Sequence, residues 1–135
     1  MNTFLIVLSL VALGILVYRF WKPAVVPPKR DVKPNEANLY FFYTNWCGFS
    51  KKAMPEWAKL EASLRGDGYF GKTHVNLVQV DCEKDVATCT LYGIKAYPTV
   101  VLETKEGVVD FDQRPTAESL RGFLRKQLGQ EREGL

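Results

Sequence analysis

Cys47 stands in the segment Asn45-Trp46-Cys47-Gly48-Phe49-Ser50-Lys51-Lys52. It opens a run in which Met54, Trp57, Leu60 and Leu64 recur at spacings of three and four, the period of a helix with one apolar face. A sulfur at a helix start meets unpaired backbone N–H groups and the positive end of the helix dipole, and both favour its anion. Lys51 and Lys52 add nearby positive charge. A thiolate held in this way attacks disulfides and oxidised thiols. Ser50 occupies the position where a second cysteine would complete a Cys-x-x-Cys pair. Its hydroxyl can donate a hydrogen bond to the sulfur but cannot displace a captured partner. The pattern therefore predicts a mixed disulfide that persists until an outside thiol clears it. Net two-electron oxidation or reduction by this site alone is excluded. The competing reading is an inert cysteine buried at a helix start. Trp46 and Gly48 beside it, and Pro55 eight residues on, argue for the reactive one.

No second catalytic group accompanies the thiol. His74, the only histidine, begins a strand pattern far from Cys47 in sequence, so neither a Cys–His pair nor a metal site is indicated. The net charge of +3 comes from the N-terminal region, where Arg19, Lys22, Lys29, Arg30 and Lys33 face only Asp31 and Glu36. Residues 38–135 carry 13 charges of each sign, which leaves no nucleic-acid footprint.

That basic cluster follows an uncharged run, Phe4 to Tyr18. Taken on to Trp21, the run has 18 residues and spans about 27 Å as a helix, enough for a thin bilayer. Phe4, Leu5, Ile6, Val7, Leu8, Leu10, Val11, Leu13, Ile15, Leu16 and Val17 would face lipid, with Tyr18 and Trp21 at the interface. A cleavable signal fits less well, because no Lys or Arg precedes the run and no small-x-small site follows it. The flanking charges predict a single-pass protein with its C-terminal domain on the cytoplasmic side, an ER-lumenal domain being the alternative. Prolines 23, 27, 28 and 34 make the next stretch an extended spacer. The expected divisions are an anchor over 1–21, a linker over 22–37, a domain over 38–129 and a tail over 130–135.

Within the domain, strand and helix patterns alternate. Strands are expected over 39–43, 74–80, 99–103 and 108–111, and helices over 48–65, 84–91 and from Thr116 onward, with residues 66–71 as a loop. The order βαβαββα implies an α/β domain, a mixed four-stranded sheet with helices on both faces. Trp57 and Phe70 are expected in its core.

These segments resemble the thioredoxin superfamily, and most closely the thioredoxin domains of protein disulfide isomerases. The likeness rests on "FFYTNWCGFSKKAMPEWAKLE", "VDCEKDVATCTLYGIKAYPTV" and the closing helix, over about residues 38–129. It implies a minimal thioredoxin-like fold, a kink at Pro55, and a cis Tyr97–Pro98 peptide in a loop that presents its backbone to an extended client segment. It implies a structural disulfide between Cys82 and Cys89, against the alternative of two free thiols on a reducing cytosolic side. Two positions depart from the family. Phe41 stands six residues before Cys47, where the family has the buried carboxylate that accepts a proton from the second thiol. Arg114 lies one position out of register with a basic residue of the isomerases. The tetrapeptide Cys47–Ser50 also matches the signature of monothiol glutaredoxins, which would imply glutathione and a [2Fe–2S] cluster.

The leading expectation is a membrane-anchored protein that uses Cys47 for thiol–disulfide exchange or covalent capture of a client bearing a cysteine or disulfide, without a cofactor. Ser50 would stabilise the thiolate, Trp46, Gly48 and Phe49 would shape the rim, and Tyr97 and Pro98 would bind the client. The alternatives are a non-enzymatic scaffold in a membrane-associated assembly such as a viral particle, and the iron–sulfur carrier.

Overall fold

A computed structural model describes residues 2–20 and 32–132, apart from the side chains of residues 18–20. Nine elements follow in chain order: α1 (Asn2–Phe20), β1 (Glu36–Tyr43), α2 (Gly48–Leu64), β2 (Tyr69–Phe70), β3 (Thr73–Asp81), α3 (Val86–Leu91), β4 (Thr99–Glu103), β5 (Val108–Phe111) and α4 (Ala117–Leu128).

β1 is central because its residues are apolar in both directions. Leu39 and Phe41 pack on one side of the sheet with Trp57 and Leu60 of α2 and Leu120 and Leu124 of α4. Tyr40 and Phe42 point to the other side, where Val80, Val101, Cys82 and Cys89 lie. A strand buried on both faces reads as a continuous apolar run, as "LYFFY" does. Trp57 and Phe70 are core residues, 1% and 0% exposed. β1 runs parallel to β3 and antiparallel to β4, and β4 turns back as β5. α4 starts at Thr116, whose side chain accepts from the Ser119 N–H at 3.1 Å while Ser119 accepts from the Thr116 N–H at 3.0 Å. That reciprocal cap satisfies two of the donors a helix start leaves open.

The sheet has five strands, in the order β2-β3-β1-β4-β5, and not the four expected. The additional strand is Tyr69–Phe70, which falls in the segment read as a loop. Its glycine-rich flanks signal a turn, and a two-residue strand is too short to show alternation. Gly71 makes it possible: its φ is +59°, and a side chain there would place Cβ 2.7 Å from the Leu128 carbonyl oxygen. Residues 130–132, expected to trail away, lie beside this strand. The Gly71 N–H donates to the Gln130 carbonyl at 2.7 Å and the Arg132 N–H to that of Tyr69 at 2.9 Å. The two bonds anchor the chain end to β2.

α1 is apolar around its circumference, with the large side chains from Phe4 to Val17 all exposed. Among the described residues, no helix is long and apolar enough to cross a membrane. Trp21 and most of the linker lie outside the described residues, as does the side chain of Tyr18.

A candidate thiol site at the start of helix α2

The parallel β1–β3 pair places the end of β1 and the end of β3 side by side, and the chain leaves β1 into α2 at that edge. Two contacts hold the connecting residues. The Asn45 N–H donates to Glu83 Oε2 at 2.8 Å, and Asn45 Nδ2 donates to Asp81 Oδ2 at 3.0 Å. Cys82 and Cys89 are joined, with 5.8 Å between their Cα atoms, and the Cys82 N–H donates to the Tyr43 carbonyl at 2.9 Å. The closed loop thus carries Glu83, one of the two carboxylates that fix Asn45, two residues ahead of the thiol. Sequence reasoning missed Asn45, Asp81 and Glu83. They meet only through the strand register, across 36 and 38 residues, and nothing in the local pattern signals it.

Cys47 is the N-cap of α2, in extended backbone, and its carbonyl accepts the first helical bond from the Lys51 N–H at 3.0 Å. Its sulfur is free and half-buried. The Ser50 N–H holds the thiol below its usual range; partial desolvation opposes this, while the Phe49 N–H and the Ser50 hydroxyl add to it. Ser50 itself is 0% exposed, and its Oγ accepts from the Thr44 N–H at 3.5 Å. The arrangement stabilises charge on sulfur while keeping the hydroxyl under the helix. All three cysteines of the chain are accounted for, so no second free thiol exists to attack a disulfide formed at Cys47.

The Tyr97–Pro98 peptide is cis. Protonated Cys47 donates to the Tyr97 carbonyl across 3.5 Å, which brings together residues 50 apart in sequence. Trp46 and Phe49 flank the sulfur, 67% and 72% exposed, and the Trp46 ring stands edge-on to Tyr97 at 6.1 Å. Gly48 opens the helix. The predicted thiol, its hydroxyl neighbour, its rim and the proline loop therefore converge at one edge of the sheet. His74 is elsewhere, at the start of β3 against the Tyr69 ring. Among the described residues, no group of three or more His, Cys, Asp or Glu comes together as a metal would require.

Phe41 lies beneath α2, 0% exposed, with its ring stacked on Trp57 at 5.1 Å. A buried carboxylate does exist, but on the other face: Glu103 is 1% exposed and accepts from the Tyr40 hydroxyl at 3.2 Å. Glu103 ends β4, four residues and about 13 Å of strand beyond Thr99, which is the end nearer the proline loop. It cannot serve Cys47. Its neighbour Tyr92 has its hydroxyl pKa raised by burial, and then by Tyr40 and Glu103.

The thioredoxin family model matches residues 29–126. The chain belongs to the thioredoxin family. Among curated proteins, the chain is 31% identical over 105 residues to protein disulfide isomerase-like 2-1 of Oryza sativa subsp. japonica, covering 73% of this chain and 26% of that one. It is 34% identical over 92 residues to protein disulfide-isomerase A3 of Gallus gallus, covering 67% and 17%. Among solved structures, the first two thioredoxin domains of Eps1p from Naumovozyma dairenensis superpose with a TM-score of 0.62 at 26% identity, covering 70% of this chain and 35% of that one. The chain thus spans about a quarter or less of the curated relatives it matches. These relatives bear the names of disulfide isomerases or isomerase-like proteins, and the chain is thereby related to thiol–disulfide oxidoreductases of that kind.

Proposed function

We propose that this protein captures client proteins through Cys47 alone. The Cys47 thiolate attacks one sulfur of a client disulfide. The client S–S bond breaks, a Cys47–client bond forms, and the electron pair leaves on the second client sulfur, which takes a proton from water. The thiolate of an outside thiol then attacks the client sulfur of that bond, the Cys47 thiolate leaves, and the outside thiol remains joined to the client in a new disulfide, so one disulfide is broken and one formed at each step. The observation that carries this reading is the half-exposed, anion-favouring sulfur beside the Tyr97 carbonyl, with a buried hydroxyl where a resolving thiol would be. Ser50 stabilises the thiolate, and the Tyr97–Pro98 loop and the rim of Trp46, Gly48 and Phe49 receive the client segment.

The apolar circumference of α1 supports seating it in lipid as an anchor, and the basic residues after it support a cytoplasmic-facing domain. Alkylation of Cys47 in alkali-washed membranes tests both parts of the proposal. The rate is expected to titrate with a midpoint below about 8.5, the value of an unperturbed thiol. In cells whose plasma membrane alone is permeabilised with digitonin, a membrane-impermeant reagent is expected to label Cys47. A midpoint at or above 8.5 would favour a scaffold with an idle cysteine. Loss of the protein to the alkaline wash would remove the anchor, and protection of Cys47 in the permeabilised cells would reverse the sidedness.

A further inference from the structure

A groove of about 440 Å³ runs beside the thiol, between α2 and the segment that leads into α4. Phe49, Lys52 and Glu56 line it from α2, Pro98 from the proline loop, and Arg114 and Thr116 from the far side. Its charge is not balanced. One oxygen of Glu56 is held by the Lys59 ammonium and the other accepts from the Ala117 N–H at 3.0 Å. These two partners, Lys59 first, also lower the Glu56 pKa. Glu56 is therefore already committed. Lys52 and Arg114 are exposed, and among the described residues neither lies within ion-pair distance of a carboxylate. The groove so presents two free cations and one bare aromatic ring, Phe49, next to a nucleophilic sulfur.

We infer that this groove selects client segments of acidic peptide character, in which a carboxylate lies beside the cysteine that Cys47 attacks. The inference rests on the exchange reading above and names its substrate class. The client carboxylate pairs with Arg114 and Lys52 while its apolar neighbours cover Phe49. Arg114 presents a planar fork that suits a carboxylate, and Lys52 a compact point charge. The exchange step is the one already described, with no net change in oxidation state.

The test uses the full chain and the symmetrical disulfides of three peptides, acetyl-Asp-Cys-Gly-amide, acetyl-Ser-Cys-Gly-amide and acetyl-Lys-Cys-Gly-amide. Each rate with Cys47 is divided by the rate of the same disulfide with 2-mercaptoethanol, which removes differences in leaving-group acidity. Two exposed charge contacts predict an Asp-to-Lys ratio of about tenfold in favour of Asp. The ratio should collapse toward one in the Lys52→Ala, Arg114→Ala double variant, whatever that variant does to the Ser peptide, and Arg114→Lys should restore most of it. A ratio near one in the unaltered protein, or one that survives the double variant, overturns the inference and leaves the exchange reading standing. Failure of all three disulfides to modify Cys47 overturns both.

Discussion

Ser50→Cys is expected to shorten the life of the Cys47 mixed disulfide by about a hundredfold or more. The partner should leave as a free thiol, and a disulfide should remain between Cys47 and the introduced sulfur. The substitution exchanges one small side chain for another, one turn into α2, at a position that is 0% exposed and whose oxygen already contributes to lowering the Cys47 pKa. A thiol fixed there acts at an effective concentration far above the millimolar levels of an external thiol, which is the source of the acceleration. The absence of a carboxylate at Phe41 keeps the gain below what a fully equipped dithiol site would reach, because no nearby base takes the proton of the second thiol. The measurement is intact mass against time after loading Cys47 with hydroxyethyl disulfide and removing the excess. Equal lifetimes in the variant and the unaltered chain would mean that position 50 cannot reach the sulfur.

Phe41→Asp would introduce the acidic residue type that the family resemblance implies for this position and is expected to cost about 5 kcal/mol or more of stability. Removing a buried phenyl ring costs roughly 3–5 kcal/mol. An unpartnered carboxyl in its place adds about 1–3 kcal/mol, more when ionised. Phe41 sits on Trp57 and Tyr43 in an apolar layer sealed by α2 and α4. Because burial favours the protonated carboxyl, the folded state would hold more protons than the unfolded chain. The deficit should therefore grow as pH rises above about 4. Such a loss is comparable with the whole stability of a small domain. Urea midpoints at pH 4 and pH 7 would show it, and a variant as stable as the parent at both would mean that this core tolerates the carboxylate.

The legibility of the sequence followed how local each signal was. β1 was readable because a central strand is apolar in both directions, and α2 because its apolar positions recur at helical spacing from a defined start. The convergence of Cys47, Ser50 and the Tyr97–Pro98 loop came through resemblance, since no local pattern joins residues 50 apart. β2 was missed: two residues between glycines signal a turn, and although Thr73 and His74 pair with them directly across that turn, the further partner Glu131 comes from 61 residues on. The Asn45 tether to Asp81 and Glu83 depends on strand register alone. Glu103 reads as a polar strand end before an exposed turn. Only the packing of Tyr40 and Asn38 on the same face shows it to be buried and bonded. Arg114, out of step with the isomerase pattern, still reaches the groove beside the thiol.

Covalent capture rests on one sulfur that can form a bond to a client and has no other free thiol within the chain to break it. Intact mass of the unaltered protein, loaded with a neutral disulfide and freed of excess reagent, follows that bond directly. A single adduct on Cys47 is expected to persist for hours and to disappear within minutes of adding an external thiol. An adduct that decays without added thiol, or none at all, would contradict covalent capture.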